Sequence, residues 1–156
     1  MELIPPKPTP RGTPGLKYSE DGKKAEGWAK KESHDFRKIF QERYFVVDGS
    51  MKRIQYYDVY NNTPNFKGEL LFTYNSKCQI CPAGVKSPQT NVIVISGQST
   101  NNTTSTDDTD MFISLPSAEQ ADEWYDMFNK AIKGERFRFI DEEEACCAAF
   151  DSCAIA

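Results

Sequence analysis

Residues 27–58, GWAKKESHDFRKIFQERYFVVDGSMKRIQYYD, decide how this chain is read. β-Branched and aromatic side chains gather there in short runs at 27–31, 43–47 and 53–57, which predict antiparallel strands. Asp48-Gly49-Ser50 supplies a turn between the second and the third. Between the first two runs lies a charged loop, residues 32–42, which holds His34, the single histidine of the chain. Residues 23–43 carry seven basic side chains against four acidic ones, a positive patch in a chain of formal net charge −4. A local reversal of sign points to a specific anionic partner rather than to general affinity for polyanions, so nucleic acid is not expected as a partner.

The length of 156 residues, with 38% hydrophobic and 27% charged residues, fits one core of ordinary domain size flanked by polar appendages. No apolar run approaches the length of a membrane span, and the first residues lack the charged-then-apolar pattern of a secretory signal. The expected location is therefore cytoplasmic. Five cysteines, an odd number, do not resemble a disulfide framework. Cys78-Gln79-Ile80-Cys81 has a CxxC spacing, but in an extended strand residues three apart face opposite ways, so the two thiols do not converge on one ion. With no second CxxC and no histidine pair, neither a metal nor a cofactor is expected.

Outward from the central stretch, residues 1–22 hold most of the prolines and read as an extended or disordered leader with polyproline character. Pro5-Pro6-Lys7-Pro8 has the PxxP spacing of Src-homology-3 ligands, a weakly specific pattern beside which a plain leader is the favoured reading. Asn61-Asn62-Thr63-Pro64-Asn65 reads as a loop. Further strands are expected at 66–72, 77–81, 91–96 and 111–115, the third of these nearly all β-branched. Residues 97–110 form a polar, low-complexity insertion that cannot offset its ordering entropy by burial and is expected to be a mobile loop.

Ser117-Ala118-Glu119-Gln120 has the form of a capping box, with the serine serving the Gln120 amide and the glutamine reaching back. The helix that follows places Ala121, Trp124, Phe128, Ala131 and Ile132 on one face. Its acids lie early and its lysines late, in keeping with the helix dipole, and Gly134 ends it.

The order G-W-A-x-K, basic loop, R-Y-F-V-V, D-G, I-x-Y-Y, then further strands and a helix carrying Trp124 near its middle resembles the pleckstrin-homology (PH) domain family over residues 24–134. The resemblance implies a mainly β fold: a bent barrel of seven strands, in two near-orthogonal antiparallel sheets, closed at one end by the C-terminal α-helix. It also implies a site. In phosphoinositide-binding members a lysine ends the first strand and a basic-x-Arg opens the second, and together they grip inositol phosphates. Lys31 and Arg43 take two of these positions here, while Gln41 departs from the pattern at the third. Lys38 and Arg37 sit in the loop where a further phosphate contact is common, and Tyr56 matches a position whose hydroxyl can add a hydrogen bond. Guanidinium forks and ammonium groups suit phosphate oxygens. His34 reads as an exposed spectator rather than a pH sensor.

The last residues, 135–156, form an acidic tail that the fold is not expected to need. Cys153-Ala154-Ile155-Ala156 fits the C-a-a-X pattern of prenylation, and Cys146 and Cys147 stand where a second, palmitoyl anchor is added. A single lipid chain binds membranes marginally, so a second signal is expected, from Cys146 and Cys147 or from the folded domain's own basic patch. The reading that follows is a non-catalytic, membrane-targeting signalling adaptor on the cytoplasmic face of a membrane, bound to phosphoinositides or other anionic lipids. The alternative is a protein-interaction module, binding a protein through the barrel surface or the Pro-rich leader, with the lipidated tail alone at the membrane. One histidine, no Gly-rich phosphate loop and no G-x-S-x-G motif leave no assembled catalytic set, so an enzyme is not expected.

Overall fold

Strands and helix form where the pattern of side chains demands two differently sorted faces. The computed structural model describes residues 5–33, 36–99 and 108–137, and the statements below concern these. Eight strands and one helix follow in the order β1 (Lys17–Tyr18), β2 (Lys24–Glu32), β3 (Phe40–Asp48), β4 (Arg53–Tyr60), β5 (Thr63–Leu71), β6 (Cys78–Ile80), β7 (Val92–Ser99), β8 (Thr109–Ser114) and α1 (Ala118–Lys133). The seven expected strands are all present, and β1 is an addition.

Strands β1 to β5 pair in sequence, all antiparallel. Along one edge β7 pairs with β8 over six rungs, Val92↔Ser114 to Gly97↔Thr109. Along the other it carries β6 at its start and β5 at its end. The barrel closes because β8 also pairs with β2, Lys30↔Ser114 and Lys31↔Ile113. Alternation sends Ala25, Ala29, Phe45, Val47, Ile54 and Tyr56 inward, into one contiguous core.

Helix α1 lays Ala121, Trp124, Met127, Phe128 and Ala131 against that core. Trp124 meets Phe45 edge-on, with ring centroids 5.6 Å apart and planes at 90°, a favoured aromatic geometry. Met127 belongs to the buried face, whereas Ile132 is only partly buried. Ser117 Oγ accepts from the Gln120 amide at 3.2 Å, as expected of an N-cap. The Gln120 side chain does not reach back. Its Oε1 accepts from the Gly15 amide at 3.4 Å, so the second half of the capping box is given over to the leader. At the other end Gly134 adopts φ 74°, closing the helix as a left-handed cap.

Four segments differ from their compositional reading. The leader is extended but does not lie outside the folded unit: Leu16 and Tyr18 pack against the core and β1 pairs with β2. The tail likewise begins inside it, since Phe137 is buried and its amide donates to the Gly22 carbonyl at 2.8 Å. The polar insertion is shorter than 97–110 at both ends, because ladder bonds extend β7 to Ser99 and start β8 at Thr109. Asn61 and Asn62, both with positive φ, form a two-residue hairpin turn, so Thr63 already belongs to β5. His34, Cys146, Cys147 and Cys153 lie outside the described residues.

Candidate functional site

The strands that build the core also carry polar side chains one step beyond it. Ala29 pairs with Arg43, Lys31 with Gln41, and Phe45 with Tyr56. Continuing the inward faces past Ala29 and Phe45 brings Lys31 and Arg43 to the mouth of the barrel, next to Tyr56.

Lys31 is 6% exposed. Its ammonium donates to the Glu32 carbonyl at 3.1 Å and stands 4.7 Å from the centroid of the Tyr56 ring, a cation–π contact. Burial pulls its pKa down to about 8, with Arg43 and Lys38 adding to the effect and Glu32 opposing it. Arg43 donates to the Gln41 side chain at 3.0 Å and to the Glu42 carbonyl at 2.9 Å, and lies 3.7 Å from the Asp58 carboxylate. Burial raises the Tyr56 phenol above its usual range, an effect that Arg43 partly offsets. The phenol therefore stays protonated and available as a donor.

The loop between β2 and β3 is pinned at its base, where Ser33 donates to the Ile39 carbonyl at 2.7 Å and Ile39 donates to Ser33 Oγ at 3.1 Å. Lys38, with φ 51°, and Arg37 are both exposed in it, and Arg37 has a contact of its own. Lys38 lines a cleft of about 490 Å³ that continues to Lys86 and Ser87 on the β6–β7 loop. Lys86 pairs with the Glu32 carboxylate at 3.1 Å and lies over the Phe112 ring.

The structure thus brings Lys31, Arg43 and Tyr56 together and places Lys38 beside them, with Arg37 farther out on the same loop. Gln41, expected to be a lost contact, instead holds the guanidinium of Arg43. Lys86 was not legible in the sequence, because only the folded barrel carries the β6–β7 loop to the β2–β3 loop. The mouth is partly self-neutralised through Glu32 and Asp58. Electrostatically it can receive an anion: two cations and a phenol lie together, with the ammonium of Lys31 largely desolvated.

Cys78 is buried and Cys81 half-buried, both as free thiols. Burial pushes the Cys78 thiol up to about 12, so it carries almost no thiolate at neutral pH. Among the described residues no group of three or more His, Cys, Asp or Glu side chains is placed to hold a metal ion, and no helix is long and apolar enough to cross a membrane.

The family model of the PH domain matches residues 23–133. The chain belongs to the PH domain family. The same fold recurs in solved structures at low identity. One is the C-terminal PH domain of human pleckstrin, with 17% identity, TM-score 0.54, and coverage of 80% of this chain and 93% of that one. Another is the PH domain of human oxysterol binding protein-related protein 11, with 10% identity, TM-score 0.52, and coverage of 76% and 90%. A third is the PH domain of the human KIAA0053 protein, with 18% identity, TM-score 0.51, and coverage of 80% and 95%. At these identities the likeness is one of fold. No curated protein matches the chain. As a family, PH domains are signalling and membrane-targeting modules and are typically non-catalytic.

Proposed function

We propose that this PH domain attaches to membranes by recognising phosphoinositide or other anionic lipid headgroups through Lys31, Arg43 and Tyr56, with Lys38 and Arg37 as outer contacts. The observation that carries this reading is the convergence of the first three at the barrel mouth, within a locally basic stretch of an acidic chain. A doubly ionised phosphate arriving there replaces weak internal partners, such as the 3.7 Å approach of Asp58, with charge-assisted bonds. Because Lys31 is already desolvated, binding does not incur that cost a second time.

Flotation of the full chain with vesicles tests the reading. Co-migration is expected with phosphatidylcholine vesicles that contain a phosphoinositide and not with phosphatidylcholine alone. Lys31→Ala and Arg43→Ala should each weaken it by about tenfold or more, the worth of one charge-assisted contact. No co-migration with any anionic vesicle would rule lipid recognition out. That outcome would favour a protein-binding module, a reading for which the internal engagement of Arg43 by Gln41 and Glu42 speaks.

A further inference from the structure

The outer face of an antiparallel sheet usually turns polar side chains to water. On β2, β3 and β4 this face instead carries Trp28, Tyr44, Val46, Tyr57 and Val59 as a second buried cluster, separate from the core. Trp28 and Tyr44 meet edge-on at 5.2 Å. The chain's own segment Pro8-Thr9-Pro10-Arg11 lies on this surface.

The contacts have a recognisable logic. Trp28 Nε1 donates to the Thr9 carbonyl at 2.9 Å. The Arg11 guanidinium stacks 4.7 Å from the centroid of the Trp28 ring, pairs with Glu42 Oε1 at 2.6 Å and donates to the Val59 carbonyl at 2.7 Å. An extended proline-rich strand has no internal hydrogen bonds, so its carbonyls are open to an indole donor, and its stiffness lowers the entropy lost on docking. An aromatic floor, one indole N–H and one charged anchor that sets chain direction are what such a ligand requires.

We propose that the outer face of β2, β3 and β4 is a binding site for proline-rich, arginine-bearing segments, filled in cis by residues 8–11 and open to displacement by a partner segment of the same chemistry. Two observations make the cis segment exchangeable. None of residues 5–14 is buried, and the Arg11 side chain is 52% exposed. The floor is also incompletely filled: a cavity of about 260 Å³ lies along the segment and one of about 420 Å³ beyond it, beside residues 12–14, and Trp28 lines both. The site is independent of the barrel mouth, since it uses the opposite face of the same strands.

A vacated chain carrying Pro8→Gly, Pro10→Gly and Arg11→Ser, titrated with the free peptide PPKPTPRGT (residues 5–13), tests this with the Trp28 indole N–H resonance as the readout. Saturable binding is expected, with the resonance returning to its wild-type position. The wild-type chain should bind the peptide about tenfold or more weakly, because its own segment competes at high effective concentration. Adding Glu42→Arg to the vacated chain should reverse the preference, rejecting this peptide and accepting its Arg11→Glu form. A vacated chain that keeps its fold by circular dichroism, yet shows no shift of the indole resonance with peptide, overturns the proposal. Should the triple variant fail to fold, Arg11→Ala alone takes its place with the same expected shift, whose absence is equally decisive.

Discussion

The Lys31 ammonium stands 4.7 Å from the centroid of the Tyr56 ring while donating to the carbonyl of its neighbour Glu32 at 3.1 Å. A cation so held is stabilised by a π face and a dipole, without full hydration. Its pKa falls to about 8 from an ordinary 10.5. Below about pH 8 both the folded and the unfolded chain hold this proton, and the folded state bears the full cost of the desolvated charge. Between about 8 and 10.5 the unfolded chain binds more protons than the folded one, so this group's contribution to stability rises with pH. Lys31→Met is expected to exceed wild type in stability by about 1 kcal/mol at pH 7. Urea denaturation should show the gap closing as the pH rises through 8 to 10; a gap constant with pH would refute this account.

Arg43 and Asp58 stand 3.7 Å apart, and Asp58 is the more exposed of the two. A pair with one member in water is worth a few tenths of a kcal/mol at most, and its loss should scarcely move stability. Its influence on an anionic ligand runs the other way, because Asp58 competes for the guanidinium and repels phosphate. Asp58→Asn should therefore strengthen binding of the full chain to phosphoinositide vesicles a few-fold, more at low salt than at high. Surface plasmon resonance at two ionic strengths separates the effects. Equal or weaker binding by Asp58→Asn would show that Asp58 helps to orient the guanidinium.

Trp124 is fully buried between Phe45 and Phe128, and its indole N–H is without a hydrogen-bond partner among the described residues. The side chain thus joins a large apolar contribution to an unsatisfied donor. Trp124→Ala should cost about 3–5 kcal/mol through the cavity it leaves. Trp124→Phe removes the stranded donor along with part of the ring, so its cost should be smaller, about 1–2 kcal/mol. Thermal denaturation of both variants tests the order, and equal losses would mean that the donor is satisfied in solution.

Much of this fold was legible because the chain states it locally. Ser117, Trp124 and Gly134 mark the start, middle and end of α1, and β-branched runs mark β3 and β7. What composition hid were features fixed only by tertiary pairing. Gly97, Gln98 and Ser99 read as loop, yet Leu70↔Ser99 and Leu71↔Gln98 draw them into the ladder. The leader read as solvated because, although the run Tyr44-Phe45-Val46-Val47 puts apolar side chains on both faces of β3, nothing local shows which segment covers the outer one. At the mouth, Lys31 and Arg43 followed from the resemblance to phosphoinositide-binding PH domains, whereas Lys86 depended on a loop brought near by the fold.

Gly97 sits where β7 leaves β6 and takes up β5. A Cβ there would stand 2.5 Å from the Leu71 carbonyl oxygen and 2.9 Å from Leu70 Cγ. The nearest obstacle is backbone, which cannot rotate aside as a side chain can. Gly97→Ala should therefore open the barrel at the two rungs that join β5 to β7, costing about 2–3 kcal/mol. Gly84 supplies the contrast: its φ is +89° but nothing lies within 4 Å of an added Cβ, so Gly84→Ala meets backbone strain alone, about 1 kcal/mol. Hydrogen exchange distinguishes the two mechanisms. Faster exchange at the Leu71 and Gln98 amides, which face each other across the seam, is expected in Gly97→Ala and not in Gly84→Ala. Unchanged protection at that seam would mean that the barrel is closed by its other pairings and that the β5–β7 rungs are incidental.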